Sequence, residues 1–236
     1  MIQRFFENFT TVDGIITIGV HLIIIFMILP IHEFAHAFAA DKLGDMTARN
    51  RGRLTINPLA HIDPFGALCL LVTGFGWAKP VPVNPLRFKK YRAGMSITAA
   101  AGPLSNLIVA FIATIVLRVV TSIPYSAETY LQAVQGEGAL YFTVFFIRYF
   151  IVINIGLAIF NLIPVPPLDG SKILSYFTPA SFDRKMEQYQ MYIYFGFLIV
   201  MFSGILDRPM SAVRNAIYQL MLALTDWVEK LVLMIV

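Results

Sequence analysis

Residues 28–38 of the chain read ILPIHEFAHAF, which sets two histidines and a glutamate into a run that is otherwise soluble in lipid. On a helix, His32 and His36 lie one turn apart on the same face, with Glu33 beside them. Neutral imidazoles bind a divalent metal, and a neighbouring carboxylate can take a proton from a water that the metal acidifies. An ionisable group at membrane depth is costly, so three within five residues require a partner, water or a metal. The spacing is that of the His-Glu-x-x-His helix, in which both histidines hold zinc and the glutamate is a general base. A five-residue pattern also arises by coincidence, but coincidence leaves three polar groups stranded in an apolar span.

A hydrolytic zinc needs a third protein ligand and an open fourth position. Two residues qualify: His61, in NPLAHIDPFG, and Asp169, in NLIPVPPLDG. Pro164, Pro166 and Pro167 cannot continue a helix, so the broken backbone can aim Asp169 back at the first apolar run. Read alone, Asp169 before Gly170 and Ser171 is a turn or a helix N-cap. Its place on the same cytoplasmic side as the first helix favours a ligand over a cap, and His61 is left as a proton donor, a support behind the ligands or a loop anchor. Asn106, Asn154 and Asn161 also lie in apolar runs, where amides must bond something. They either hold helices together or donate to a substrate carbonyl and its developing oxyanion, with Asn161 the first choice for that role. Gly102 is expected to let helices approach closely.

The elements that must position these residues are membrane spans. Of 236 residues, 58% are hydrophobic and 14% charged, against about one-quarter charged in an average soluble domain. The composition is that of an integral membrane protein. Apolar runs near the length that a bilayer core requires, about 20 residues, occur at about 15–43, 96–120, 139–163, 192–206 and 212–236. They predict an all-α polytopic fold of about five transmembrane helices, with a core of three carrying the site. The fourth run is short and the fifth carries Arg214, Asp226 and Glu229. A single membrane domain, 1–236, is expected, its catalytic core at about 15–172 and accessory helices at about 186–236. The opening residues show no signal-peptide cleavage site, so the first span is expected to remain.

Charge orders the connections. The stretch 44–92 is rich in lysine and arginine, 121–138 has Glu128 and Glu137 and neither basic residue, and 164–188 carries Lys172, Arg184 and Lys185. The positive-inside bias therefore puts the first and third in the cytoplasm, the amino terminus outside and the site toward the cytoplasm. The net charge of +4 is explained by this topology, so no nucleic-acid partner is expected. Cys69, the single cysteine, excludes an intramolecular disulfide. GRLTIN and WAKPVPVN alternate apolar with other residues, predicting short extended or β segments on the cytoplasmic side. Pro80, Pro82 and Pro85 restrict the second to an edge strand or an extended segment. Residues 65–76 are expected as a re-entrant half-span or a loop.

The His32–His36 motif, AGPLSN (101–106) and NLIPVPPLDG (161–170) together resemble the site-2 protease family of intramembrane zinc metalloproteases. NPLAHIDPFG with FGWAKPVPVNP is similar to its compact prokaryotic branch, and the likeness spans roughly residues 30–172. The resemblance implies that His32, His36 and Asp169 bind one catalytic zinc and that Glu33 activates water. It further implies a prokaryotic cell membrane, and transmembrane protein substrates already shortened by another protease. A reading from a different class is a membrane metal-binding or transport protein, in which the three ligands pass an ion. Glu33 separates the two: without it a protease keeps its metal and loses turnover.

Overall fold

The computed structural model describes residues 12–73 and 77–235. Its helices are α1 Val12–Lys42, α2 Thr47–Asn50, α3 Pro58–His61, α4 Pro64–Thr73, α5 Tyr91–Ser122 and α6 Ala127–Val134. They continue as α7 Gly138–Asn161, α8 Asp169–Phe177, α9 Ala180–Gln188, α10 Gln190–Phe202, α11 Asp207–Leu224 and α12 Asp226–Ile235. The start of the chain, on which the expectation about a cleaved leader falls, lies outside the described residues.

Two compact units emerge. The first takes the chain up to Ser105 together with Leu162–Tyr194, and the second takes Asn106–Asn161 and the chain from Phe195 onward. In the first, Ile24, Ile28, His32, His36 and Ala40 form one buried stripe at four-residue spacing along α1. Two polar side chains thus occupy consecutive steps of an apolar face. The helix ends at Gly44, whose φ of +105° suits glycine. Across it the Asp45 N–H reaches back to the Ala40 carbonyl at 2.9 Å. Helices α2 and α3 pack on α1, and Asn57 caps α3 by accepting from the Leu59 N–H at 3.0 Å.

The second unit is held by an apolar core of Ala110 and Leu117 on α5, Ile151 and Ile155 on α7 and Met221 on α11. The seven- and four-residue spacings keep each helix's contribution on one face. Arg118 ties α5 to the end of the chain, donating to Glu229 at 3.0 Å and to the Leu222 carbonyl at 2.9 Å.

Among the described residues three helices are long and apolar enough to cross a membrane: 18–42 within α1, α5 and α7. The expected five spans are not confirmed. The fourth and fifth stretches satisfy the criterion only as a pair, α10 with 207–235, bent by 79°. Gly204, with φ of +75°, stands at the break, where a residue with a side chain would be strained. The expected cytoplasmic β segments are not confirmed either. Among the described residues there is a single antiparallel bridge, Ile62 with Ala78, because prolines at 80, 82 and 85 remove ladder donors. The ten-residue α4, Pro64–Thr73, about 15 Å of helix, covers 65–73 of the stretch 65–76; residues 74–76 lie outside the described ones.

Candidate metal centre

Three atoms on two separated elements form a small triangle. His36 Nε2 lies 3.0 Å from His32 Nε2, and Asp169 Oδ2 lies 3.4 Å from His32 Nε2 and 3.2 Å from His36 Nε2. All three side chains are buried. The histidines come from consecutive turns of α1, and Asp169 is the first residue of α8.

Asp169 is aimed by the turn before it. The chain leaves α7 through Pro164, Pro166 and Pro167, and Leu168 N–H closes on the Val165 carbonyl at 2.9 Å. Gly170 then packs flat on the returning backbone: a Cβ there would stand 2.3 Å from the Leu162 carbonyl oxygen and 2.5 Å from that of Ile163. The other carboxylate oxygen, Oδ1, lies 4.0 Å from Lys172 Nζ one turn along α8.

The donor set is short of protons. His36 Nδ1 is 2.7 Å from the Thr98 carbonyl oxygen on α5; a carbonyl only accepts, so Nδ1 carries the proton and the neutral ring presents a bare Nε2. Asp169 Oδ2 is also an acceptor, so the two face each other across a gap that asks for a cation. Burial pushes the Asp169 carboxyl up; where no cation fills the gap, protonated imidazoles take its place, and their hydrogen bonds from His32 and His36 hold the carboxyl below the usual carboxylate range. The anionic form that a metal ligand must adopt is the favoured one.

Dimensions agree with a tetrahedral metal. Zinc bonds of about 2.0–2.1 Å give tetrahedral edges of about 3.3–3.4 Å, against the 3.0, 3.2 and 3.4 Å found. Room is left by Gly102 on α5, where a Cβ would stand 2.4 Å from His36 Nε2 and 2.6 Å from His32 Cε1. The close helix approach expected of Gly102 is thus directed at the two imidazoles. The residues present fit a zinc ion.

Glu33 faces a different partner. Its Oε2 accepts the Val81 N–H at 3.1 Å, from the extended segment that follows the bridge at Ala78. His61 is not one of the three clustered side chains. It is buried, its Nε2 donates to the Thr55 carbonyl at 2.7 Å, and its own carbonyl accepts the Lys79 N–H at 2.8 Å. It anchors the loops around that segment.

The amides belong to the second unit. Asn154 is buried and donates to the Phe150 carbonyl at 2.8 Å, and Asn161 donates to that of Leu157 at 2.9 Å, each one turn back on its own helix. Asn106 is fully buried, and neither side-chain atom has a hydrogen-bond partner among the described residues. Sequence reading missed Thr98 and Val81, because both act through backbone atoms that residue type does not announce. The one available signal was the pair of prolines flanking Val81.

Known proteins are similar to this chain in sequence. The family model for peptidase family M50 matches residues 20–203. The Bacillus subtilis protein YwhC, named as a zinc metalloprotease, is 41% identical over 197 residues, covering 82% of this chain and 86% of its own. Rip2 of Mycolicibacterium smegmatis, also named as a zinc metalloprotease, is 29% identical over 198 residues, 80% of this chain and 69% of its own. No solved structure matches the chain.

Proposed function

The chain belongs to peptidase family M50, the site-2 protease family, and from that premise we propose that it is an intramembrane zinc metalloprotease that hydrolyses peptide bonds in or near transmembrane segments of other membrane proteins. The observation that carries the reading is the buried His32–His36–Asp169 triangle, with an acidic residue, Glu33, adjoining it on the same helix. His32, His36 and Asp169 hold one zinc. When bound, the metal supplies Lewis-acid polarisation of a carbonyl and lowers the pKa of water to about 7.

Glu33 is the general base. Its Oε2 is held by Val81, which leaves Oε1 to accept the proton of the attacking water and return it to the leaving amine. Thr98 fixes the tautomer of His36, and Lys172 faces the carboxylate oxygen of Asp169 that points away from the imidazoles. Asn161, with Asn154 and Asn106, supplies amides for an unwound substrate in the membrane. His61 supports the extended segments at 53–57 and 77–84, which receive the substrate by strand addition. The amino terminus lies outside a prokaryotic cell membrane and the site faces the cytoplasm, in keeping with the basic connections. Substrates arrive shortened by a prior cleavage.

Membranes containing the wild-type protein or Glu33→Gln, compared by proteomics, test the reading. Full-length membrane proteins accumulate only with the variant, while purified Glu33→Gln keeps its zinc. A variant that loses zinc, or a pair of identical proteomes, favours a metal-binding or transport protein instead.

A further inference from the structure

The geometry points to Arg53 as the positioning residue of Glu33, acting through the backbone of Pro80 and Val81; the inference rests on Glu33 being the general base. In Pro80-Val81-Pro82 the prolines have no N–H, so Val81 carries the one amide donor of the three. That donor goes to Glu33 Oε2 at 3.1 Å. Arg53 grips the backbone on the other side: Nη2 donates to the Lys79 carbonyl of the preceding peptide at 2.5 Å and, at a longer 3.4 Å, to the Pro80 carbonyl at the opposite end of the Val81 peptide unit. Pro80 C=O and Val81 N–H belong to one planar peptide and point in opposite directions. Fixing the oxygen therefore fixes the direction of the N–H, and a cation beside the oxygen polarises the donor that faces the carboxylate.

Loop fastening alone does not account for Arg53. The segment is already held by His61, whose carbonyl accepts from Lys79, and by Asp45 Oδ2, which accepts the Asn84 N–H at 2.6 Å. Arg53 is 8% exposed, and its Nε has no hydrogen-bond partner among the described residues. Among the described residues no carboxylate pairs with it. A buried arginine is rarely left without an acidic partner, and here its bonds run to the carbonyls just ahead of the one amide that holds Glu33.

Amide hydrogen exchange of the zinc-loaded, detergent-solubilised protein tests this directly, because Val81 is the only exchanging amide between Lys79 and Val83. Protection of Val81 is expected to fall by about tenfold in both Glu33→Ala and Arg53→Met, as the loss of one hydrogen bond to a charged group requires. Zinc content stays that of the wild type. With fluorescently labelled casein as probe, Arg53→Met lowers kcat and leaves KM unchanged, and Arg53→Lys restores part of the loss. Unchanged Val81 protection in Arg53→Met, or a rise in KM with kcat preserved, overturns the inference. Where Arg53→Met does not assemble, Arg53→Gln gives the same reading. If wild-type protein leaves casein uncut, the proposed activity is what fails that assay, and exchange at Val81 still decides the role of Arg53.

Discussion

Gly102 lies where a Cβ would stand 2.4 Å from Nε2 of His36, the nitrogen that turns toward His32 and Asp169. No side chain fits there without displacing an imidazole, although alanine is otherwise the better helix former. Gly102→Ala is expected to weaken zinc binding by more than the roughly 10- to 100-fold typical of changes behind the ligands. Gly156, with nothing within 4 Å of its Cβ position, is the control. Gly156→Ala keeps zinc and matches or exceeds wild-type stability. Zinc content of the two purified variants decides the matter.

Asp169 and His61 were the rival third ligands, and their surroundings predict opposite outcomes. Asp169→Ala leaves His32 and His36 facing each other without the carboxylate that completes the triangle, so zinc binding weakens. His61→Ala removes the donor to Thr55 and opens a cavity in a fully packed position. It is expected to cost about 1–3 kcal/mol of stability and leave zinc affinity intact. The reverse pattern in metal titrations would reassign the ligand.

How far these features were legible follows from what kind of atom carries each one. His32 and His36 approach because four residues make one helical turn, a relation written in the spacing. Asp169 lies far along the chain, and its direction could be argued only from the prolines that stop α7 and from the charge of the connections. Thr98 and Val81 touch the site through backbone atoms, on which residue type is silent. The span count is not confirmed at Gly204: the runs 192–206 and 212–236, read from hydropathy as two spans, meet the length and composition criterion only as a pair, bent at this positive-φ residue. The extended segments stayed free of a ladder because the prolines that mark them as extended also remove the donors a strand needs.

Membrane sidedness is open to a direct measurement. In a Cys69→Ala background, single cysteines at positions 126–136 should react with an impermeant thiol reagent from outside. Cysteines at 50–54 or 88–91, flanked by Arg49, Arg51, Lys89 and Lys90, should react only after the membrane is opened. The opposite labelling pattern would overturn the positive-inside assignment and move the metal centre to the outer side.

If the proposed substrates are transmembrane helices, such a helix must unwind before its peptide bonds can be cut. A helical carbonyl is tied to the amide four residues on, and an attacking water cannot reach a peptide group so bonded and enclosed. Within the membrane each freed backbone group needs a replacement partner, which the extended segment at 77–84 offers beside Glu33, to which Val81 is bonded. Residues that weaken the substrate helix should therefore speed its cleavage. Glycine destabilises a helix interior by about 1 kcal/mol relative to alanine, so each glycine placed near the cytoplasmic end of a substrate span is expected to raise kcat/KM by up to about fivefold if unwinding limits the rate. The measurement compares one span carrying Gly or Pro with the same span carrying Ala or Leu, at matched binding. Equal or faster cleavage of the Ala/Leu helix would remove unwinding as the limiting step and leave 77–84 with the task of holding Glu33 alone.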